Sequence, residues 1–432
     1  MKLVRKYGLA AALCIAVIIS FVLSIVLWSN PSYERSKKSN LSSSRSSLIS
    51  NSKPLSYVYM PTKVIYTNRD GRQWILTDSN VNLISEIMKQ VRKDYANRMQ
   101  LVSSHSTHQY FHDLNRPKSL ILDYHSDVTT KLLDSVLSGR LSKLPNRVID
   151  RIELPLNNQR CLYLFRDQGQ RVYRVSLNNH EIHGLKKILR LHLHRIPVKI
   201  KSNYGRPLID YQGSISMPQY EYLINKQTQN YCVMHLLNGG QRIVRTRRHA
   251  RTVYSDEANR QLIFDKYQNA TFVNDQPRRW GSFNHNLDWS YRYLNQLNLS
   301  LNDVHYFDFD PKSKSITYRG FIEGFPIFNP TQLGAVSLQH RNGELRSNYS
   351  LESLQIPIPN ERKPLKLPST KRVMMVLRSH GYKMHNVQAV EIGYEWKNAK
   401  SSKILANLIP GWFIEYNNHW INYGQLNNGA LE

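Results

Sequence analysis

The chain has 432 residues, enough for two or three folded units at about 150 residues per domain. Its 59 Lys and Arg residues against 31 Asp and Glu residues give a formal net charge of +28, but a hydrophobic content of 41% excludes a disordered basic tail. Because Cys14 lies inside an apolar run, only Cys161 and Cys232 could pair within the folded part, which excludes a disulfide-stapled module.

The N-terminus carries an apolar run that predicts a transmembrane helix. Gly8–Trp28 contains no charge, and its 21 residues at ~1.5 Å each span roughly the 30 Å hydrocarbon core. A cleaved signal peptide is disfavoured because the run is longer than a typical signal h-region and no small-x-small site follows it. The basic flanks do not decide the orientation, but a large domain translocates largely regardless of charge. We expect a cytoplasmic tail at 1–6, a transmembrane helix at 7–28 and an extracytoplasmic body.

Small residues recur at every fourth position of this run. In lipid, such a ridge lets helix backbones approach closely, and packing then drives association. Background composition of transmembrane helices is the alternative explanation, since small residues are common in them. The predicted helix-packing residues are Gly8, Ala12, Ala16, Ser20 and Ser24.

A serine-rich tether is predicted at 29–55, because a segment with so few apolar residues cannot bury a core. The body then reads as an α+β fold of antiparallel sheets with helices. We divide it into an N-terminal domain at 56–205, a central domain at 206–288 and a C-terminal domain at 289–432.

The predicted N-terminal domain opens with a hairpin of two strands, 63–67 and 73–77, around Asp70-Gly71, whose residues tolerate positive φ. A helix capped by Asp78 or Ser79 follows, with an apolar stripe formed by Val81, Ile84, Met88, Val91 and Tyr95. Further along, the pattern predicts a strand at 119–124, a helix from about Asp127, and a hairpin of strands 161–165 and 171–175.

The central domain contains a predicted helix around 220–226 and strands at 252–254, 261–264 and 270–273. In the C-terminal domain we predict strands on both sides of Asn342-Gly343, a helix near 371–379 and a closing hairpin of 412–416 with 420–423.

The sequence contains no nucleophile elbow, Walker loop, zincin motif or paired C-x-x-C. The one S-x-x-K, Ser50 to Lys53, lies in the predicted tether, which cannot preorganise a nucleophile. We therefore predict no catalytic residue, no cofactor and no metal site. Two histidine groups are weak metal candidates without a completing carboxylate; they are His105, His108 and His112 on one predicted helix face, and His192 with His194 on a predicted strand.

A basic run between residues 242 and 251 is the sharpest local charge concentration. Inside a cell it would suggest nucleic acid, but on an extracytoplasmic body the available polyanions are lipid headgroups and wall polymers. A solvated strand and loop is the alternative. The candidate polyanion patch consists of Arg242, Arg245, Arg247, Arg248 and Arg251, with His249 among them.

The order of these features resembles the YycH family of low-GC Gram-positive bacteria. The resemblance is carried by the N-terminal span ending in Leu27-Trp28-Ser29-Asn30-Pro31, the Met60-Pro61 and Asp70-Gly71 hairpin, Gly324–Phe328, and Leu408-Ile409-Pro410-Gly411-Trp412 before the last hairpin. It covers essentially the whole chain. The serine-rich tether is longer and more polar than is usual for the family, which leaves the spacing of the body from the membrane open.

The resemblance implies a regulator and not an enzyme. YycH proteins are membrane-anchored accessory proteins that act with the partner YycI on the sensor histidine kinase WalK, largely through transmembrane helix contacts. Their ectodomain has three α+β domains, of which the last two resemble each other and YycI. Two other hypotheses stay open: an extracellular module that binds wall or lipid polyanions through the basic run, and an enzyme built on the histidines. The sign of regulation is not given by the sequence.

Overall fold

The computed structural model describes residues 52–78, 81–179, 182–237, 242–274, 280–331, 333–341, 343–399 and 402–426. The predicted transmembrane helix, its ridge of small residues and nearly all of the predicted tether lie outside these ranges. No helix within the ranges has the length and apolarity needed to cross a membrane.

The first sheet has nine strands in the order β3-β7-β6-β5-β4-β1-β2-β8-β9, and every neighbouring pair is antiparallel. The strands are β1 (Lys63–Thr67), β2 (Gln73–Thr77), β3 (Ala96–Ser103), β4 (Ser119–Thr129), β5 (Val148–Pro155), β6 (Cys161–Arg166), β7 (Arg171–Leu177), β8 (His194–Asn203) and β9 (Arg206–Tyr211).

The second sheet has fourteen strands within the described ranges. Its main path runs β12-β13-β14-β15-β20-β19-β17-β18-β23-β24-β11-β21, with β16 beside β17 and β25 beside β24. The pair of β18 and β23 is parallel. A separate two-stranded sheet joins β10 to β22. The strands are β10 (Ile215–Met217), β11 (Tyr220–Lys226), β12 (Val244–Arg248), β13 (Arg251–Ser255), β14 (Gln261–Phe264), β15 (Asn269–Asn274), β16 (Val304–Asp310), β17 (Ser315–Ile322), β18 (Phe325–Phe328), β19 (Ala335–Arg341), β20 (Glu344–Ser350), β21 (Glu352–Ile358), β22 (Leu365–Leu367), β23 (Val387–Asn398), β24 (Leu405–Tyr416) and β25 (His419–Asn422).

Helices pack on these sheets, and most of them begin with a side-chain cap. Asn82, Ser106, Thr129, Ser282 and Ser369, for example, each accept a hydrogen bond from the backbone three residues on. The helices are α1 (Leu55–Val58), α2 (Leu83–Val91), α3 (Thr107–Leu114), α4 (Thr130–Val136), α5 (Ile182–Leu189), α6 (Gln229–Leu236), α7 (Phe283–Gln296), α8 (Thr370–Ser379) and α9 (Tyr423–Leu426), with a 3₁₀ turn at Met384–Asn386.

Both faces of the nine-stranded sheet are buried, which explains the uninterrupted apolar runs in its central strands. Val64 and Leu122 face one hydrophobic cluster, which also contains α2, α4 and α7. Ile65 and Ile121 face a second cluster, which is shared with β23, β24 and α8. The C-terminal half therefore packs against the N-terminal sheet over an extensive apolar contact.

The predicted fold class is confirmed as a mixed α+β fold with large antiparallel sheets. The hairpin around Asp70-Gly71 has its predicted bounds, and Gly71 has a φ of +76°. The division into three domains stays a prediction. Strand β9 follows the predicted boundary at 205 and pairs with β8 of the nine-stranded sheet.

Three local predictions are wrong. Residues 220–226 form strand β11, because β21 and β24 hydrogen-bond to it on both sides. Helix α2 is capped by Asn82 in place of Asp78 or Ser79, so Val81 precedes the helix and Tyr95, half-exposed, lies beyond its end. The helix predicted from about Asp127 begins at Thr130, because strand β4 continues through Asp127 and pairs with β5 up to Thr129. The sequence left the pairing of Cys161 with Cys232 open, and both are free thiols in buried positions.

Candidate functional site

The histidine groups do not form the faces that were predicted for them. Helix α3 begins at Thr107, so His105 lies before it with a φ of +56°, and His108 and His112 are exposed. Strand β8 begins at His194, which leaves His192 outside the strand. Within the described ranges no group of three His, Cys, Asp or Glu side chains is placed to hold a metal ion.

The basic run forms an exposed hairpin at one edge of the fourteen-stranded sheet. Strand β12 pairs with β13 through a two-residue turn at His249 and Ala250. Arg245 lies across from Tyr254, with its guanidinium carbon 5.8 Å from the ring centre. The four arginines whose side chains are described are all exposed; they are Arg242, Arg245, Arg247 and Arg251. Strand β12 includes the fifth, Arg248, as the register partner of Arg251.

A second feature is the leading segment, residues 52–62, which begins within the last residues of the predicted tether. It packs on the C-terminal half of the chain. The Lys53 backbone N–H donates to Asn295 Oδ1 at 3.0 Å, and Tyr291 Oη donates to the Lys53 carbonyl at 2.9 Å. The His305 imidazole donates from Nδ1 to the Tyr57 carbonyl at 2.8 Å, and burial lowers the pKa of His305. Helix α7 and strand β16 therefore hold this segment on both sides.

Tyr59 anchors the leading segment in the core. Its side chain is fully buried, and its hydroxyl donates to the Leu287 carbonyl at 2.7 Å. The same hydroxyl lies 2.8 Å from Tyr318 Oη and 3.2 Å from Ser290 Oγ. These three hydroxyl groups satisfy one another inside an apolar cluster, where an unpaired hydroxyl would be costly.

A charged cluster joins the two large sheets. Lys63 of β1 donates from Nζ to Glu391 of β23 at 2.9 Å, and His125 of β4 lies with Nε2 3.2 Å from the same carboxylate. His125 Nδ1 is 2.9 Å from the carbonyl oxygen of Phe307. Both ring nitrogens of His125 therefore face hydrogen-bond acceptors. Lys63 and His125 hold the pKa of Glu391 far below its usual range, against the opposing effect of burial.

The charged cluster borders a polar cavity of about 190 Å³ between the sheets. Arg151 bridges two carboxylates there, with Nε 2.6 Å from Asp123 and a close contact to Asp167. Burial raises the pKa of Glu415 to about 7, and the nearby Asp308 carboxylate adds to that rise. The cavity therefore gathers eight ionisable side chains at the contact between the sheets; they are Lys63, Asp123, His125, Arg151, Asp167, Asp308, Glu391 and Glu415.

Aromatic rings hold the cationic side of this cluster in place. The Phe307 ring stacks on His125 at 3.7 Å between centroids, and the guanidinium carbon of Arg319 lies 4.5 Å from the same ring centre. Arg319 also lies 4.6 Å from the Phe328 ring and donates to the Ile327 carbonyl at 2.8 Å. The Phe307 ring therefore contacts both the His125 imidazole and the Arg319 guanidinium, and its stacking on His125 helps to orient that imidazole toward Glu391.

Neither the charged cluster nor the docking of the leading segment is predicted from the sequence. One signal was present, because Lys63, Asp123 and Glu391 each adjoin large apolar residues within a strand, and a buried charge requires a partner. Their pairing could not be found from spacing, since Lys63 and Glu391 are 328 residues apart.

Two family models match the chain. One, described as the N-terminal domain of YycH protein, matches residues 10–192, and the other, described as the C-terminal domain, matches residues 212–428. Among solved structures, the crystal structure of YycH from Bacillus subtilis superposes with a TM-score of 0.69 at 14% sequence identity, covering 86% of this chain and 97% of that one. At this identity the likeness concerns the fold alone. No curated protein matches the chain.

Proposed function

This chain belongs to the YycH family, and on that premise we propose that it is a membrane-anchored regulator that modulates the sensor histidine kinase WalK together with a YycI-type partner. The family consists of regulatory accessory proteins of the WalK (YycG) two-component system and is not a family of enzymes. Its members act as extracellular-domain regulators of a membrane kinase.

In the proposed mechanism, the apolar run at 7–28 packs beside the transmembrane helices of the kinase. The ridge from Gly8 to Ser24 supplies the contact face, because small side chains permit close approach where no hydrophobic force acts between helices. Coupling of about 1–3 kcal/mol is typical of allosteric regulation and is within reach of one helix interface.

The docking of the leading segment is the observation that carries this mechanism. Because Lys53 and Tyr57 are bonded to α7 and β16, a partner that shifts those elements also shifts the chain that leads back toward the apolar run. A partner bound at α7 or β16 would therefore act on the described residues that lie nearest the predicted tether.

The test replaces Ala16 and Ser20 with Leu, which fills the ridge, and compares a matched pair, Ile18→Leu and Val22→Leu, on the opposite helix face. We expect the ridge variant to change the output of a WalK-dependent reporter several-fold, in line with a coupling of about 1–3 kcal/mol, and the matched pair to leave it unchanged. Unchanged output from a ridge variant that reaches wild-type abundance would remove the ridge from the mechanism.

A second candidate function is the binding of wall or lipid polyanions by the basic hairpin, favoured by the exposure of its arginines. Exchanging the whole apolar run for an unrelated one separates the two functions. A transmembrane regulator loses kinase co-purification in that exchange, whereas a polyanion-binding module keeps its activity.

A further inference from the structure

Strand β12 is the exposed strand of the hairpin, whereas β13 is half-buried and packs Tyr254 against the core. Four of the five residues of β12, from Val244 to Arg247, are exposed, and Val244 alone exposes 53% of its surface. Strand β12 is also the end strand of its sheet, and among the described residues no strand pairs with its outer backbone edge. A strand uncovered on both faces and along its edge adds little stability, which points to a role in binding.

The charge on this hairpin is carried by arginine without lysine. Residues 242–255 contain five Arg residues, one His, and no Lys, Asp or Glu. A charged edge that only prevents aggregation is commonly built with Lys, whereas the planar fork of Arg matches the oxygens of a phosphate group. The nearest acid along the chain, Asp256, is already paired with Arg260 at 2.6 Å. The composition therefore favours specific recognition of phosphate oxygens over nonspecific electrostatic attraction.

The spacing of the arginines fits a linear ligand. Arg245 and Arg247 lie on one face of β12, two residues apart, which places their Cα atoms about 7 Å from each other. In a polymer whose phosphodiester groups are joined by short polyols, successive negative charges are separated by a similar distance. Successive phosphates can therefore meet Arg245 and Arg247 along this face of the strand, with Arg242 in the segment that leads into it, whereas Arg251 takes a position on the opposite face of the hairpin.

We propose that the β12–β13 hairpin binds a linear polyol phosphate polymer on the outer side of the membrane, laid along the arginine edge of the sheet. The inference deepens the second candidate function and rests on the extracytoplasmic orientation proposed above. Such a ligand would report the presence of an anionic wall polymer to the regulator, by a contact separate from the transmembrane helix.

The test measures binding of lipid-free poly(glycerol phosphate) chains to the full-length protein in neutral detergent micelles, over a series of salt concentrations. The first variant changes Arg242, Arg245 and Arg247 to Gln. Its matched control changes Lys186, Lys187 and Arg190, a cluster of equal charge and exposure at α5, to Gln.

We expect the hairpin variant to lose more than about tenfold in affinity, and its slope of log affinity against log salt to fall by about three. The control variant should stay within about threefold of wild type, since it removes the same net charge at another place. Equal losses in both variants, or no loss in the hairpin variant, would overturn the proposal. A third variant with Lys in place of Arg242, Arg245 and Arg247 keeps the charge and the fold, and wild-type affinity in it would also overturn recognition by the arginine fork.

A second probe separates the polymer from a lipid headgroup. Glycerophosphoglycerol carries the headgroup chemistry of phosphatidylglycerol as a single phosphodiester. We expect it to bind far more weakly than the polymer, because the polymer engages several arginines at once. Equal affinity for both probes would identify a headgroup site and overturn the polymer proposal. Reporter output of the ridge variant is independent of this binding, so either hypothesis can fail alone.

Discussion

Replacement of Glu391 by Gln tests the contact between the two sheets. The carboxylate accepts from Lys63 at 2.9 Å and from His125 at 3.2 Å, and the Lys63 side chain is only 3% exposed. Removing one partner of a buried ion pair costs about 3–5 kcal/mol, because the other charge stays buried without compensation. Asp123 is the register partner of Lys63 but is held by Arg151, so we expect a loss near 3 kcal/mol of unfolding free energy.

The assay is denaturant unfolding of the full-length protein, followed by two probes whose transitions should coincide. The matched control is Glu344→Gln, which breaks a surface pair with Arg346 of the same 2.9 Å length and should cost less than about 1 kcal/mol. Combining Lys63→Met with Glu391→Gln should cost less than the sum of the single changes, since no buried charge is then left alone. Equal losses in Glu391→Gln and Glu344→Gln would refute the reasoning.

The pH dependence of this variant follows from the lowered pKa of Glu391. A carboxyl whose folded pKa lies below its unfolded value of about 4.3 stabilises the fold above that value. The contribution is lost as the pH falls through the folded pKa. The difference in unfolding free energy between wild type and the Glu391→Gln variant should therefore be constant near neutral pH and should approach zero only in strong acid.

Three further changes probe other parts of the structure. Burial raises the pKa of Glu415 to about 7, so the free energy of unfolding of the wild-type protein should fall as the pH rises from about 4 to 7. Glu415→Gln should remove this fall and stabilise the protein above pH 7. An unchanged dependence of stability on pH would contradict this. Tyr59→Phe should cost about 1–3 kcal/mol in denaturant unfolding, because the buried Leu287 carbonyl and the Tyr318 hydroxyl each lose a hydrogen-bond partner; an unchanged free energy of unfolding would contradict these hydrogen bonds. Gly324→Ala should lower the thermal midpoint, because φ is +85° and a Cβ would lie 2.4 Å from the Thr62 carbonyl oxygen; a wild-type midpoint would refute that packing.

Local turn chemistry made part of the fold predictable. The strands around Asp70-Gly71 were predicted with their observed bounds, because the glycine supplies the positive φ that the turn requires. The prediction of a helix at 220–226 was wrong because the apolar pattern there is short. The segment forms a strand because it pairs with strands that are distant in sequence. Propensity at that length is a weak guide when tertiary pairing is available.

The two candidate sites likewise differ in whether the sequence alone could reveal them. The basic hairpin was visible in the sequence because its arginines are neighbours in the chain. The cluster of Lys63, His125 and Glu391 was not, since its members come from two sheets and only the packing of those sheets unites them. The predicted ridge in the apolar run stays a prediction.

The attachment of the leading segment has a consequence for the order in which the molecule assembles. Tyr59 makes its hydrogen bonds with Leu287 and Ser290, which lie 228 and 231 residues later in the chain. During synthesis the ribosome must therefore complete α7 before the leading segment can form these hydrogen bonds. Nascent chains that end before Leu287 would lack these partners, so the leading segment would dock only late in folding.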